Sequence, residues 1–165
     1  MQRLITRILI GTRPRKTLIR AGILAICCYF FFRYPFQPVL VHGTSMEPTY
    51  RDGALRFSNS LSYLRDRHPT PGDVVVIRMA GRRTMYLKRI LAIPGDEVYF
   101  DKGILWINGE TQSEPYVVHT GTWTTRPVLL ESQEYFVAGD NRAMPRENHV
   151  MGIVDRNRIE GKLWN

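Results

Sequence analysis

The chain has 165 residues, 44% of them apolar, enough for one compact domain with appendages. Its net charge of +8 is unevenly placed: residues 1–33 hold seven Lys and Arg and no acid, while the rest hold 16 Lys and Arg against 15 Asp and Glu. A nucleic-acid-binding domain carries its basic excess on the folded part, which excludes that class. No His/Cys/Asp/Glu group has metal-ligand spacing, so neither metal nor cofactor is expected.

In chain order, Leu4, Ile5, Ile8 and Leu9 recur at helical spacing between Arg3 and Arg7, which predicts a basic amphipathic segment over 1–16, ended by Arg13-Pro14. Residues 21–32 are uncharged and apolar, but 12 residues of helix span only about 18 Å. Adding Thr17-Leu18-Ile19, with Arg20 snorkelling to the interface, brings the stretch near a thin bilayer, so 17–33 reads as a transmembrane helix. A cleaved signal peptide is the rival, but Phe32-Arg33-Tyr34-Pro35-Phe36 follows the run where a small-x-small cleavage site would stand. Six basic residues precede the run, which predicts a cytoplasmic N-terminus and a domain outside over 34–165. Tyr29, Phe30, Phe31, Phe32, Tyr34 and Phe36 fit an aromatic belt at the outer interface. The two cysteines, Cys27 and Cys28, lie inside the apolar run and read as small hydrophobes, so no disulfide staples the downstream part.

Beyond the anchor the pattern is β. Val39–Val41, Ala54–Phe57, Asp73–Met79, Met85–Ile93, Glu97–Phe100, Ile104–Ile107 and Glu134–Ala138 are short runs rich in β-branched and aromatic residues. Asp101-Lys102-Gly103 between two of them predicts a hairpin, and Asn59–Arg67 is the one helix candidate. The predicted fold is a compact, mostly β catalytic domain, a β-barrel or folded antiparallel sheet, preceded by one transmembrane helix.

Two segments carry candidate chemistry. Ser45 stands in a loop bounded by Gly43 and Pro48, about 12 residues past Arg33, and Lys88 stands mid-strand in Tyr86-Leu87-Lys88-Arg89-Ile90-Leu91. In such a strand 86, 88 and 90 share one face and 87, 89 and 91 the other. If the first face is covered, the Lys88 amine is desolvated and its pKa falls from about 10.4 toward neutrality, as a general base requires. Arg89 reads as a surface cation. Polar residues cluster again from Gly139 to His149, directly after apolar Tyr135–Ala138.

Ser45-Met46-x-Pro48-Thr49, Gly72-Asp73-Val74-Val75, Lys88-Arg89 with Pro94-Gly95-Asp96, and Gly139-Asp140-Asn141-Arg142 resemble, in order, the boxes of the type I signal (leader) peptidase family. The resemblance runs from about Gly43 to Val154. It implies a membrane-bound serine endopeptidase that cleaves exported precursor proteins after small-x-small sites, with Ser45 as nucleophile and Lys88 as general base. Gly43, Met46, Pro48, Asp140, Asn141, Arg142 and Glu147 are then candidates for substrate, oxyanion or structural support. Partners would be signal-peptide-bearing precursors and the lipid bilayer of a bacterial cytoplasmic membrane; the mitochondrial inner membrane is the alternative, from the Arg-rich, acid-free N-terminus. A specialised processing peptidase, for instance for conjugative pilins, and an inactive membrane-tethered binding module are the other functions in play.

The chain departs from the family pattern at three places. Gly43 stands where many bacterial members have an oxyanion-hole serine, which shifts that work to backbone N–H groups such as that of Ser45. Pro145 stands where a serine often orients the dyad lysine, leaving open how Lys88 is oriented. Glu147-Asn148-His149 replaces Asp-Ser-Arg, with the carboxylate kept at Glu147. His42, His68, His119 and His149 have no spacing for a Ser–His pair and read as ordinary residues.

Overall fold

The computed structural model describes residues 14–33, 35–65, 67–78, 85–145, 149 and 152–164. Most of the expected amphipathic segment over 1–16 therefore lies outside the described residues. Two compact units divide the chain between Gln37 and Pro38.

Among the described residues of the first unit one helix, α1, covers Pro14–Arg33. Proline at a helix's first turn lacks an N–H that would have no partner there, so Pro14 opens this helix where the sequence reading had it close the preceding segment. Leu18, Ile19, Ile23, Leu24, Ile26, Tyr29, Phe30 and Phe31 are exposed along it. No helix among the described residues is long and apolar enough to cross a membrane. The expected transmembrane helix is corrected to that extent: Lys16, Arg20 and Arg33 fall within the same helix and interrupt its apolar stretch.

The second unit is β. One antiparallel sheet has seven strands in the order β1-β2-β11-β3-β4-β9-β10. They are β1 Phe36–Leu40, β2 Leu55–Asn59, β3 Val74–Arg78, β4 Met85–Ala92, β9 Glu134–Ala138, β10 Gly152–Asp155 and β11 Ile159–Leu163. A second antiparallel sheet, in the order β7-β6-β5-β8, is built from β5 Glu97–Asp101, β6 Ile104–Ile107, β7 Glu110–Thr111 and β8 Val128–Leu129. The barrel alternative is thereby corrected. β1 and β10 are end strands with one neighbour each, so the large sheet stays open.

The β5–β6 hairpin has the expected turn. Asp101 pairs with Ile104, and Lys102 and Gly103 both lie at positive φ, +47° and +83°, which matches the right-handed twist of the strands. At Gly103 any side chain would also strike the Gly121 carbonyl. The helix expected over Asn59–Arg67 is instead a 3₁₀ turn, Ser60–Tyr63, capped by the Asn59 side chain. It ends at Leu64, whose backbone is extended at φ −78° and ψ 149° and whose N–H closes the turn on Leu61 O.

Three apolar clusters cover the large sheet. Leu91, Ala92, Phe136 and Ala138 pack with Val98, Phe100, Leu105 and Trp123, joining the two sheets. Val75, Ile77 and Ile90 pack with Tyr63, Tyr135, Val137 and Ile159. Val74 and Val76, on the opposite side of β3, pack with Val41, Met46, Tyr50 and Leu163. Both faces of β3 are thus buried as far as Ile77, and with them Lys88–Ala92 of β4 beside it.

Candidate active site

Ser45 is fixed through its neighbours. Val41 N–H donates to Ala54 O and Gly53 N–H to Val41 O, pairing the chain on either side of the 42–52 loop. Within it Gly43 turns at φ +85° and donates its N–H to the Asp52 carboxylate. Tyr50 N–H closes back on Met46 O. Met46 is 1% exposed, sunk among Val74, Val76 and Leu163, so the adjacent Ser45 is held where a packed side chain anchors the backbone. Pro48 lies in the same turn and borders a shallow cleft with Glu47, Arg51 and Asn141.

Lys88 comes from β4, opposite Val75 of β3. It is 2% exposed, and its Nζ lies 2.7 Å from Ser45 Oγ. The covering of the Tyr86–Lys88–Ile90 face that the sequence reading required is met: Ile90 is fully buried and the Tyr86 ring lies 6.0 Å from Nζ. Burial lowers the Lys88 pKa to about 8, against an opposing pull from the Asp140 charge.

The carboxylate that could have neutralised Lys88 is committed elsewhere. Asp140, fully buried, receives Arg89 Nε at 2.8 Å and Nη2 at 2.6 Å, with Thr49 Oγ1 at 2.5 Å. Arg89 also donates to Gly72 O and lies 3.9 Å over the Tyr116 ring. Its reading as a surface cation is corrected: loops from both sides cover it, leaving 9% exposed. Asp73, next to Gly72, accepts from Tyr63 Oη and Thr70 N–H and pairs with Lys162, which ties the start of β3 to β11.

The loop after β9 supports Ser45 directly. Asn141 donates its N–H to Ser45 O at 3.0 Å and its Nδ2 to Thr44 O at 3.1 Å. Gly139 is as close: an added Cβ would sit 2.1 Å from Ser45 O and 2.8 Å from the His149 ring, so no side chain fits there. Arg142 is buried between Phe100 and Trp123, donates Nε to Gly139 O, and forms a two-pronged ion pair with Glu114 at 2.9 and 2.6 Å. Glu147 lies outside the described residues.

The structure thus brings Ser45, Lys88, Gly43, Met46, Pro48, Asp140, Asn141 and Arg142 into one site. It adds Arg89, Thr49, Glu114, Tyr116 and His149. Thr49 and Arg89 had a signal, lying inside the quoted boxes, and His149 stands where the family's Asp-Ser-Arg ends. Glu114 and Tyr116 come from a polar loop without periodicity, and His149 is one of four scattered histidines. Beside Ser45 runs a cleft of about 320 Å³ between Val39–Gly43 and Met85–Leu87, floored by Val76 and Met46.

A hydroxyl in contact with a buried, uncompensated amine can perform nucleophilic acyl transfer: the amine takes the hydroxyl proton and the oxygen attacks a carbonyl. Fold and pair together define a β-rich hydrolase class. Residues 15–164 match the family profile described as signal peptidase, peptidase S26, and the chain belongs to that family. It is 34% identical over 158 residues to signal peptidase I of Bacillus licheniformis, covering 88% of this chain and 82% of that one. It is 27% identical over 164 residues to signal peptidase IB of Staphylococcus aureus, covering 88% and 85%. A signal peptidase I structure from Enterococcus faecalis shares the fold, with TM-score 0.50 and 23% identity over 59% of this chain and 98% of that one.

Proposed function

We propose that this protein is a serine endopeptidase that removes signal peptides from exported precursor proteins, with Ser45 as nucleophile and Lys88 as general base. The observation that carries the reading is the 2.7 Å contact between Ser45 Oγ and a Lys88 Nζ whose pKa burial lowers to about 8. In the free-amine form Nζ accepts the Ser45 proton as Oγ attacks the scissile carbonyl. The resulting ammonium gives that proton to the departing amine, leaving an ester on Ser45. Lys88, neutral again, takes a proton from water as the water attacks the ester, and returns it to Oγ as the acid leaves.

The charge that develops on the carbonyl oxygen needs donors. With Gly43 bearing no side chain and its N–H given to Asp52, the Ser45 N–H is the donor this reading assigns. The apolar cleft walled by Val39–Val41 and Met85–Leu87 suits small side chains on the residues before the cut. Helix α1 engages the bilayer as the anchor, Arg20 reaching the interface and its exposed apolar residues facing lipid. The bacterial relatives support a bacterial cytoplasmic membrane rather than the mitochondrial one.

The test is cleavage of a purified precursor with an Ala-x-Ala site by the detergent-solubilised protein, beside Ser45→Ala and Lys88→Ala. Cleavage by the parent and its loss in both variants is the expected result. A parent protein without cleavage would shift the reading to a specialised substrate or a non-catalytic module, and cleavage surviving Lys88→Ala would mean another base.

A further inference from the structure

We propose that His149, as a neutral imidazole protonated on Nδ1, is a positioning residue that holds the Gly139–Asn141 loop against Ser45 and so sets the Ser45–Lys88 contact. The inference rests on the Ser45–Lys88 reading and answers what orients the pair in a chain whose Pro145 offers no hydroxyl.

His149 is 4% exposed and its Nε2 accepts the Gly139 N–H at 2.7 Å. A ring nitrogen that accepts a backbone N–H carries no proton, so the neutral ring holds its proton at Nδ1. That Nδ1 is buried and has no partner among the described residues. Leucine would pack in the same space but could not accept the Gly139 N–H, which would then be buried without this partner. The ring is also braced, its centroid 4.6 Å from that of Trp123 at a 65° angle.

The bonds made by the braced loop lead to the reacting atoms. Gly139, whose N–H His149 receives, lies so close to Ser45 O that no Cβ fits between them. Asn141, two residues on, donates to the same Ser45 carbonyl. Gly139 O takes Arg142 Nε, and Arg142 is locked by Glu114. Ser45 O therefore rests on a three-residue platform fixed by Arg142 at one side and His149 at the other. A shift of a few tenths of an ångström in that platform is passed to Oγ, whose approach to Nζ governs proton transfer.

The charges around the ring keep it neutral. Burial, then Lys88, then Arg142, lower its pKa to about 4, while Asp140 and Glu114 are committed to Arg89 and Arg142. A second cation beside Lys88 is thereby avoided across the working range.

The experiment compares His149→Gln and His149→Leu with the full-length parent, reading kcat and KM separately on the Ala-x-Ala precursor. Glutamine keeps a neutral acceptor for Gly139 N–H and should hold kcat within about threefold; leucine lacks it and should lose 10- to 100-fold in kcat with KM within about twofold. Leucine with parental kcat would overturn the proposal, as would glutamine failing as badly as leucine while remaining folded. Should the variants not fold, ring-nitrogen NMR of the parent decides. An Nδ1–H tautomer, uncharged at pH 5.5, supports the role, and an Nε2–H tautomer or titration near 6.5 contradicts it. Failure of the Ser45–Lys88 reading is distinguishable, because it shows as cleavage persisting in Lys88→Ala.

Discussion

Lys88 and Arg89 are consecutive on β4, both buried, both basic, and their fates diverge. Strand pleating sends them to opposite sides. On one side Arg89 meets the Asp140 carboxylate in a two-pronged pair and the Tyr116 ring; burial alone would lower its pKa, and the Asp140 pair outweighs that and raises it. On the other side Lys88 meets a hydroxyl and an aromatic ring, and burial brings its pKa down to about 8. The same desolvation makes one cation a structural clamp and the other a base. What separates them is the allotment of a single carboxylate.

The sharpest way to break that contrast is to give position 88 a cation that cannot lose its proton. Lys88→Arg should lower precursor cleavage roughly 10³–10⁴-fold, because a guanidinium does not deprotonate in a protein and the contribution of a general base is lost. Removing the shared carboxylate acts on the other side. Asp140→Ala leaves the buried Arg89 charge without its carboxylate and should cost about 3–5 kcal/mol in denaturant unfolding.

A third substitution separates stability from catalysis at Lys88 itself. Its folded pKa is lowered from 10.5 to about 8, so the unfolded chain binds the extra proton between those values and stability falls as pH drops through that window. Lys88→Met should therefore be inactive yet more stable than the parent at pH 7, by up to about 3 kcal/mol. Chemical denaturation at pH 7 and pH 10.5 checks it: the advantage should shrink at the higher pH. The smallest effect is expected at Glu114→Gln, which keeps the shape but weakens the ion pair to Arg142, at about 1–3 kcal/mol of stability.

The divergence at positions 88 and 89 also marks how far the sequence could be read. Alternation along Tyr86–Leu91 was enough to assign Lys88 to one face and to state the condition for its activation. The burial of Arg89 was illegible because its cover, Tyr116 and Asp140, lies 27 and 51 residues away along the chain and neither is set by a local pattern. The strands most rich in Val, Ile and aromatic residues were visible, while β10 and β11 were not: Gly152, Gly161 and Lys162 dilute the period, and their place is set by pairing with β9, β2 and β3. Barrel or open sheet could not be decided from strand count, since closure depends on whether β1 meets β10. His149 passed as ordinary because its role depends on a contact with Gly139 and not on spacing to Ser45.

The pH dependence of kcat/KM for precursor cleavage by the full-length protein decides whether Lys88 is the base, because a base that must be free in the unliganded enzyme imposes its own pKa on that profile. The rate should rise once, with a midpoint near pH 8, the value burial gives Lys88. A midpoint near 6.5, or a rate that does not change between pH 6 and 9, would contradict it.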